Sequence, residues 1–381
     1  MKINKVELQK FSAFKQASLE FCPGINVFIG ANGTGKSHLM KLLYSVLKAN
    51  EQAEKRTPNN PNNMLTVLSR KLMEVFRPDP LMPEGVAKGE MEGLGRLVTR
   101  GLGSAHGGVQ IETDAGKIRF ELTTFGNLKL HHDDLAQSEQ AVFLPAREVL
   151  SMFEGFISAY NKKELSFDET YYDLCVALDA RPDRKPNFSG ITTELEKVLG
   201  GKVRLIGGRF YLYNEDGVIE SHMLAEGFRK LGTLFHLMQN GSLTRNGFLF
   251  WDEPESNLNP MMVTLVCRIL RCLASSGVQV FVATHDYLLS NELSLIAEYP
   301  DKASKELSPS IRFIGLTRNA EKGIQSQAGD TLPEIKDNPI LAAYARHYDE
   351  EDELLDKAAG LKSETAGSRP DDLPPRFETV L

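Results

Sequence analysis

Cysteine is scarce in this chain: four in 381 residues, and Cys22, Cys175, Cys267 and Cys272 form no C-x-x-C pair. That argues against a disulfide framework and against a zinc site built on paired thiolates. No apolar run approaches the roughly 20 residues that span a bilayer, and Met1-Lys-Ile-Asn-Lys5 lacks a secretory apolar segment. The expectation is a cytoplasmic protein with reduced thiols and no membrane partner. A basic surplus is missing as well, since 44 Lys and Arg stand against 51 Asp and Glu, a net charge of −7. Any DNA contact would therefore need a local basic face. The hydrophobic content of 41% is that of a folded globular protein, and the length suits one large domain with insertions or two modest ones.

What the chain does have is a phosphate-binding loop. Gly30, Ala31, Asn32, Gly33, Thr34, Gly35, Lys36 and Ser37 fit the pattern G-x-x-x-x-G-K-[ST]. The apolar run Ile25-Asn-Val-Phe-Ile29 leads in as a buried strand, and Lys36 to Leu47 leads out as a helix. That order lets successive backbone N–H groups turn around phosphates at a helix N-terminus. Lys36 then serves the β- and γ-phosphates, and the Ser37 hydroxyl ligates Mg²⁺. The ligands this loop predicts are a nucleotide's phosphates and Mg²⁺.

Phe248-Leu-Phe-Trp-Asp-Glu253 is an apolar run that ends in two acids, as a buried strand does when it delivers carboxylates to its C-terminal edge. Asp252 offers a hard anionic oxygen to Mg²⁺, through water, and Glu253 a base for the attacking water. Val278 to His285 is a second apolar strand ending in a histidine. A single histidine after a strand is ordinarily packed or solvated. This one follows the acids by one helix and one strand, a single crossover unit, which favours a catalytic role.

Taken together, Asn32-Gly-Thr-Gly-Lys-Ser37, Trp251-Asp-Glu-Pro-Glu255 and Ala283-Thr-His-Asp286 resemble the Walker A, Walker B and H-loop segments of ABC-type ATPases. The likeness is to the RecF/SMC/OLD branch, whose N-terminal strands are similar to Ile3–Phe14, Leu19–Phe21 and Gly24–Asn26. It covers about 1–48 and 203–316 well and the middle loosely. The resemblance implies a signature segment before Walker B, and Leu224-Ala-Glu-Gly-Phe-Arg-Lys230 stands there. In the family that segment, L-S-x-G-x, opens a helix that meets the γ-phosphate held by a second subunit. Gly227 is kept, but Ala225 replaces the usual serine, so closure would rely on backbone N–H groups, Glu226 or Arg229. Phe143-Leu-Pro-Ala-Arg-Glu148 takes the place of the Q-loop without its glutamine. It looks more like stand-alone ATPases of prokaryotic defence operons. Arg147 either reaches a phosphate or pairs with a neighbouring acid. Adenine, for which no base-reading motif is visible, would stack loosely near Phe11 or Phe14.

The remaining segments divide the chain. The expected parts are 1–50 with Walker A, a Gly/Asn-rich insertion and hairpin over 51–140, a helical lobe and β meander over 141–225, the second part of the ATPase core over 226–318, and an acidic helix and tail over 319–381. Thr57–Asn63 is turn-rich, and 81–108 is rich in glycine and reads as a mobile surface insertion. Val109–Thr113 and Lys117–Leu122 flank a turn and read as a half-exposed hairpin. Leu150, Phe153, Phe156 and Ile157 have helical spacing at the start of a helical stretch, 149–200, and 202–222 reads as a meander. Asn259 and Pro260 cap and start a helix running to about Ser275. Ile311–Leu316 is the last strand expected. A polar helix, acidic around Asp349–Glu353, precedes a tail, Ser363–Leu381, that is either disordered or a docking peptide.

No long heptad run lies between Walker A and the signature, so SMC-style coiled-coil arms are excluded. No second acidic cluster follows the core, so the nuclease of OLD proteins is not expected here. The fold predicted is α/β: a P-loop core with a mixed sheet, an antiparallel N-terminal portion and a helical insertion. The function the resemblance implies is ATP hydrolysis by a homodimer, or higher homo-oligomer, that gates a separately encoded nuclease or toxin in prokaryotic defence. A RecF-like DNA-repair ATPase and a transporter's nucleotide-binding subunit stand as alternatives, the latter disfavoured by the missing glutamine.

Overall fold

Ile3–Phe11 (β1) and Phe14–Glu20 (β2) alternate apolar and polar residues and pair antiparallel, with Val6, Leu8, Phe11 and Phe14 turned inward. The computed structural model describes residues 1–53, 63–79, 93–99, 106–181, 188–299 and 309–363. The expectations for Thr57–Asn63, most of 81–108 and the tail from 364 fall largely outside these residues.

β1 and β2 belong to a five-stranded antiparallel sheet completed by His106–Thr113 (β4), Gly116–Thr123 (β5) and Leu128–Asp133 (β6), in the order β2-β1-β4-β5-β6. The expected half-exposed hairpin is present as β4 and β5, and it lies at the middle of the sheet with one face buried. Val109, Ile111, Ile118, Phe120 and Leu122 are all buried in the main apolar core.

Ile25–Gly30 (β3) lies in the other large sheet with Ala141–Leu144 (β7), Phe248–Asp252 (β11), Gln279–Thr284 (β12), Ile311–Asn319 (β13) and Gly323–Gly329 (β14), in the order β14-β13-β3-β12-β11-β7. All neighbours pair parallel except β13 with β14. β14 is a strand beyond the last one expected; Gly323-Ile-Gln-Ser-Gln-Ala-Gly carries almost no apolar signal, and its place comes from pairing with β13. Gly201–Ile206 (β8), Arg209–Asn214 (β9) and Gly217–Glu220 (β10) form the meander as a separate three-stranded sheet.

Helix Lys36–Gln52 (α1) packs on the parallel sheet through aromatic rings. Phe28, Phe281, Phe250 and Phe143 form a stacked ladder across β3, β12, β11 and β7, with centroids 6.3, 4.8 and 6.2 Å apart. Tyr44 of α1 meets Phe143 and Phe250 edge-on at 5.5 and 6.0 Å. Each such pair adds about 0.5–1.5 kcal/mol beyond its buried area. The helix after the phosphate loop is thereby held on the strands that deliver the acids. Gln279 joins the two large sheets: its Nε2 donates to the Ile3 and Cys22 carbonyls at 2.8 Å each, and its Oε1 accepts from the Ile3 N–H.

Among the described residues the other α-helices of this unit are Met64–Phe76 (α2), Phe156–Asn161 (α3), Glu169–Leu178 (α4), Ser189–Leu199 (α5), Glu226–Gln239 (α6), Pro260–Ser275 (α7) and Tyr287–Glu298 (α8). Leu150 and Phe153, expected on a helix, sit in turns before α3. Gly155 with φ 72° ends that irregular stretch, and the two side chains are buried without a helical stripe. Lys71 of α2 is buried between Glu169 (2.9 Å) and Asp173 (3.0 Å) of α4, and the Tyr44 hydroxyl donates to Asp173 at 2.7 Å. Removing one member of such a buried set typically costs about 3–5 kcal/mol. A second unit, Pro339–Leu381, contains the acidic helix Pro339–Ser363 (α9), along which Tyr348, Leu354 and Leu355 are exposed. Among the described residues no helix is long and apolar enough to cross a membrane.

Candidate nucleotide site

The C-terminal ends of β3, β11 and β12 are neighbours in the parallel sheet, and the loops that leave them carry most of the expected site residues. Open α/β sheets place ligands at this edge. From β3 runs the phosphate loop. Gly30 needs its missing side chain, because a Cβ there would stand 2.4 Å from the Leu316 carbonyl and 2.9 Å from Thr34 Oγ1. Gly35, at φ 92°, is the N-cap of α1 and lets Phe14 pack 2.9 Å from where its Cβ would be. No side chain caps α1 and no acid sits in its first turn, so its leading N–H groups face an anion site with the helix dipole behind them.

Ala31, Asn32 and Gly33 form the exposed crest of the loop, while Thr34 is buried and donates to the Ala31 carbonyl at 2.9 Å. Lys36 lies inside the loop, its Nζ donating to the carbonyls of Gly30 (2.6 Å) and Ala31 (3.1 Å). Burial pulls its ammonium below the ordinary lysine range, and Asp252, Glu253 and Glu255 oppose that pull. From β11 comes Asp252, bonded to the Ser37 side chain, its carboxyl pushed up chiefly by burial. Glu253 follows in a left-handed conformation, φ 48°, with its N–H donating to the Ala283 carbonyl at 2.9 Å. From β12 comes His285, half exposed, with Nδ1 3.5 Å from Glu253 Oε1. Thus Lys36, Ser37, Asp252, Glu253 and His285 are gathered at one sheet edge.

Gly227 lies in the first turn of α6, against the segment after Walker B: a Cβ would meet Leu258 Cδ2 at 2.8 Å and the Asn257 carbonyl at 3.2 Å. Ala225 is the N-cap and provides no side-chain bond to the helix. The two substitutes considered for the missing serine are engaged within the chain. Glu226 accepts from Asn257 Nδ2 at 2.7 Å, and Arg229 Nε lies 2.8 Å from Glu148 Oε1. Arg147 is exposed and lies beside Tyr171, whose phenol is raised first by burial and lowered by the guanidinium. The stacking expected of Phe11 and Phe14 does not hold. They are 1% and 0% exposed, Phe11 edge-on to Phe76 at 6.0 Å and Phe14 under Gly35, so neither ring has a free face for a base.

Two residues of the site gave no readable sign of their roles. Glu255 is buried; its Oε1 accepts from Thr284 Oγ1 at 2.7 Å and the His285 N–H at 3.4 Å, and burial pushes its carboxyl up. It sits between the acidic strand and the histidine loop, which a linear pattern does not reveal. Lys230 is 4% exposed and donates to the Glu253 carbonyl at 3.2 Å, the Ser256 carbonyl at 2.9 Å and the Ser256 hydroxyl. In the sequence it is one lysine on an amphipathic helix.

Comparison with known proteins agrees with this geometry. Residues 1–81 match the family described as AAA ATPase domain, and residues 117–291 the family described as AAA domain, putative AbiEii toxin, Type IV TA system. A 41-residue stretch is 44% identical to the DNA replication and repair protein RecF of Acidothermus cellulolyticus and 42% identical to that of Heliobacterium modesticaldum. It spans 11% of this chain and 11% of each relative. The fold superposes on an Smc head crystallised with the C-winged helix domain of ScpA, with TM-score 0.52 at 17% identity over 88% of this chain and 100% of that one. A Pyrococcus furiosus Smc head bound to the C-terminal domain of ScpA gives 0.51 at 12% identity over 86% and 96%. Two AAA ATPase family models thus match residues 1–81 and 117–291, and the fold is that of an Smc ATPase head.

Proposed function

We propose that two copies of this chain close around ATP and Mg²⁺, and that closure followed by hydrolysis gates a separately encoded effector, a nuclease or toxin, in prokaryotic anti-phage defence. The observation that carries the enzymatic part is the convergence of Lys36, Ser37, Asp252, Glu253 and His285 at one sheet edge. Lys36 exchanges its bonds to the Gly30 and Ala31 carbonyls for β- and γ-phosphate oxygens, and the first N–H groups of α1 bind the same phosphates. Ser37 and Asp252 fit Mg²⁺, being two hard oxygen donors side by side, one a carboxylate that burial disfavours as a lone charge. The ion would supply charge neutralisation at the phosphates. Glu253 accepts a proton from water as the water oxygen bonds to the γ-phosphorus and the bond to the ADP oxygen breaks. His285, 3.5 Å from that carboxylate, orients it and senses the γ-phosphate. The second copy contributes the N-terminus of α6 at Gly227, whose N–H groups no side chain caps.

The defence setting draws on the family description matched by residues 117–291, which names a toxin–antitoxin system. A second reading, a DNA-stimulated ATPase, is favoured by the RecF matches. Light scattering on Glu253→Gln, with and without ATP and Mg²⁺, tests closure: the mass should double with nucleotide. An unchanged mass would remove nucleotide-driven dimerisation. Adding duplex DNA to the wild-type ATPase assay separates the settings, because only the repair reading expects the rate to rise.

A further inference from the structure

The turn that presents Glu253 is unusual in its backbone. Glu253 and Asn257, neither of them glycine, are left-handed at φ 48° and φ 61° and bracket Pro254, Glu255 and Ser256. Side chains avoid this region unless neighbours hold them there. The neighbours here are residues of α6 that share one helix face at spacings of one, three and four. Glu226 holds the Asn257 amide, Gly227 admits Leu258 and the Asn257 carbonyl, and Lys230 donates to the Glu253 and Ser256 carbonyls. Lys230 thus spends its buried charge on the carbonyl dipoles of the base turn.

We propose that Lys230 is a positioning residue for Glu253: its ammonium holds the base turn in the catalytic conformation and ties it to the signature helix. The backbone of Glu253 is then fixed at both ends, its N–H on Ala283 and its carbonyl on Lys230, and the carboxylate faces His285 at the site. Ser256 extends the tie, since its hydroxyl also reaches the Ala146 carbonyl at 3.2 Å, in the segment after β7. A displacement of α6 by a second copy's nucleotide reaches the Glu253 carbonyl directly through this side chain, and the far end of the turn through Glu226 and Gly227. The inference rests on Glu253 being the base.

The test is Lys230→Met, alone and combined with Glu253→Gln, measured by single-turnover hydrolysis, KM for ATP and thermal melting. The Glu253 carbonyl keeps the Ser256 hydroxyl as a donor at 2.9 Å, so the variant should fold. We expect kcat to fall about ten- to a hundredfold, the range that a misplaced catalytic group costs, with KM changed less than about threefold. In the Glu253→Gln background the same change should cost less than about twofold, because the residue acts through the base. An unchanged kcat, a rise in KM matching the loss, or a full multiplicative loss in the double variant overturns the proposal. If Lys230→Met does not fold, Lys230→Gln is judged by the same three outcomes. Should Glu253→Gln itself retain wild-type turnover, the assignment of the base fails first, a result distinct from failure of Lys230.

Discussion

At the scale of single residues the proposed function divides the site into groups that bind and groups that react. Lys36 is the one full positive charge inside the phosphate loop, and its bonds are to backbone carbonyls rather than to an acid. Lys36→Ala should therefore abolish ATP binding in a calorimetric titration while the melting temperature stays near wild type; near-native affinity would refute the phosphate assignment. Glu253 has the opposite signature. Glu253→Gln should slow hydrolysis at least about a hundredfold, within the range general bases contribute. Binding should hold or tighten, since a negative charge beside the γ-phosphate is gone. Equal losses in turnover and affinity would mean that the carboxylate binds rather than reacts. The placement of these two at the candidate site was legible in the sequence, because loop and strand-end patterns are local. Glu255 and Lys230 were not, because what they do is decided by Thr284, His285 and the base turn, segments distant along the chain that only packing brings to them.

In the proposed closure, helix α6 is the element that meets the nucleotide of the second copy. Its N-terminus carries Ala225, in extended conformation at φ −59° and ψ 146°, with no side chain to satisfy the first N–H groups. A serine hydroxyl at this position would reach such an N–H and stabilise the helix by about 1 kcal/mol. Ala225→Ser should thus raise the melting temperature by about 1–2 °C, and it should lower the protein concentration at which ATP drives dimerisation, read by light scattering. A variant melting no higher than wild type would show that the cap geometry is not available. Gly227→Asp is a poorer probe of closure, because the new side chain would first collide with Leu258 inside its own chain. Element types were readable where periodicity was strong, as in α1 and α7. They were misjudged where it was weak: Leu150 and Phe153 mimic a helical stripe by spacing alone, and β14 forms because β13 offers it an unpaired edge.

For the molecule as a whole, the buried set around Lys71 links stability to pH. Burial, against the pull of Lys71 and with the push of Asp173, raises the Glu169 carboxyl from its ordinary value to about 8. The folded chain then holds a proton there that the unfolded chain has released above an ordinary carboxyl value of about 4.3. Stability must fall as pH rises through that window, and level off above about 8. Chemical denaturation at pH 5.5 and 8.5 should show this loss, and Glu169→Gln should flatten it while keeping an acceptor for Lys71. An equal slope in the variant would place the effect in other groups.

Sequence by itself determined where the candidate nucleotide site lies. A glycine-rich loop between an apolar strand and a helix, an apolar strand ending in two acids, and another ending in histidine carry their meaning in a few adjacent residues. The physical reason is that phosphate, metal and base chemistry each demand particular atoms at short chain separations. Tertiary structure alone decided that the 109–122 hairpin lies at the middle of its sheet, that Phe11 and Phe14 are closed to a base, and that Arg229 and Glu226 are spent inside the chain. It also placed Lys230 under the base turn. These outcomes depend on which segments meet, and burial and pairing between distant segments leave no periodic trace along the chain.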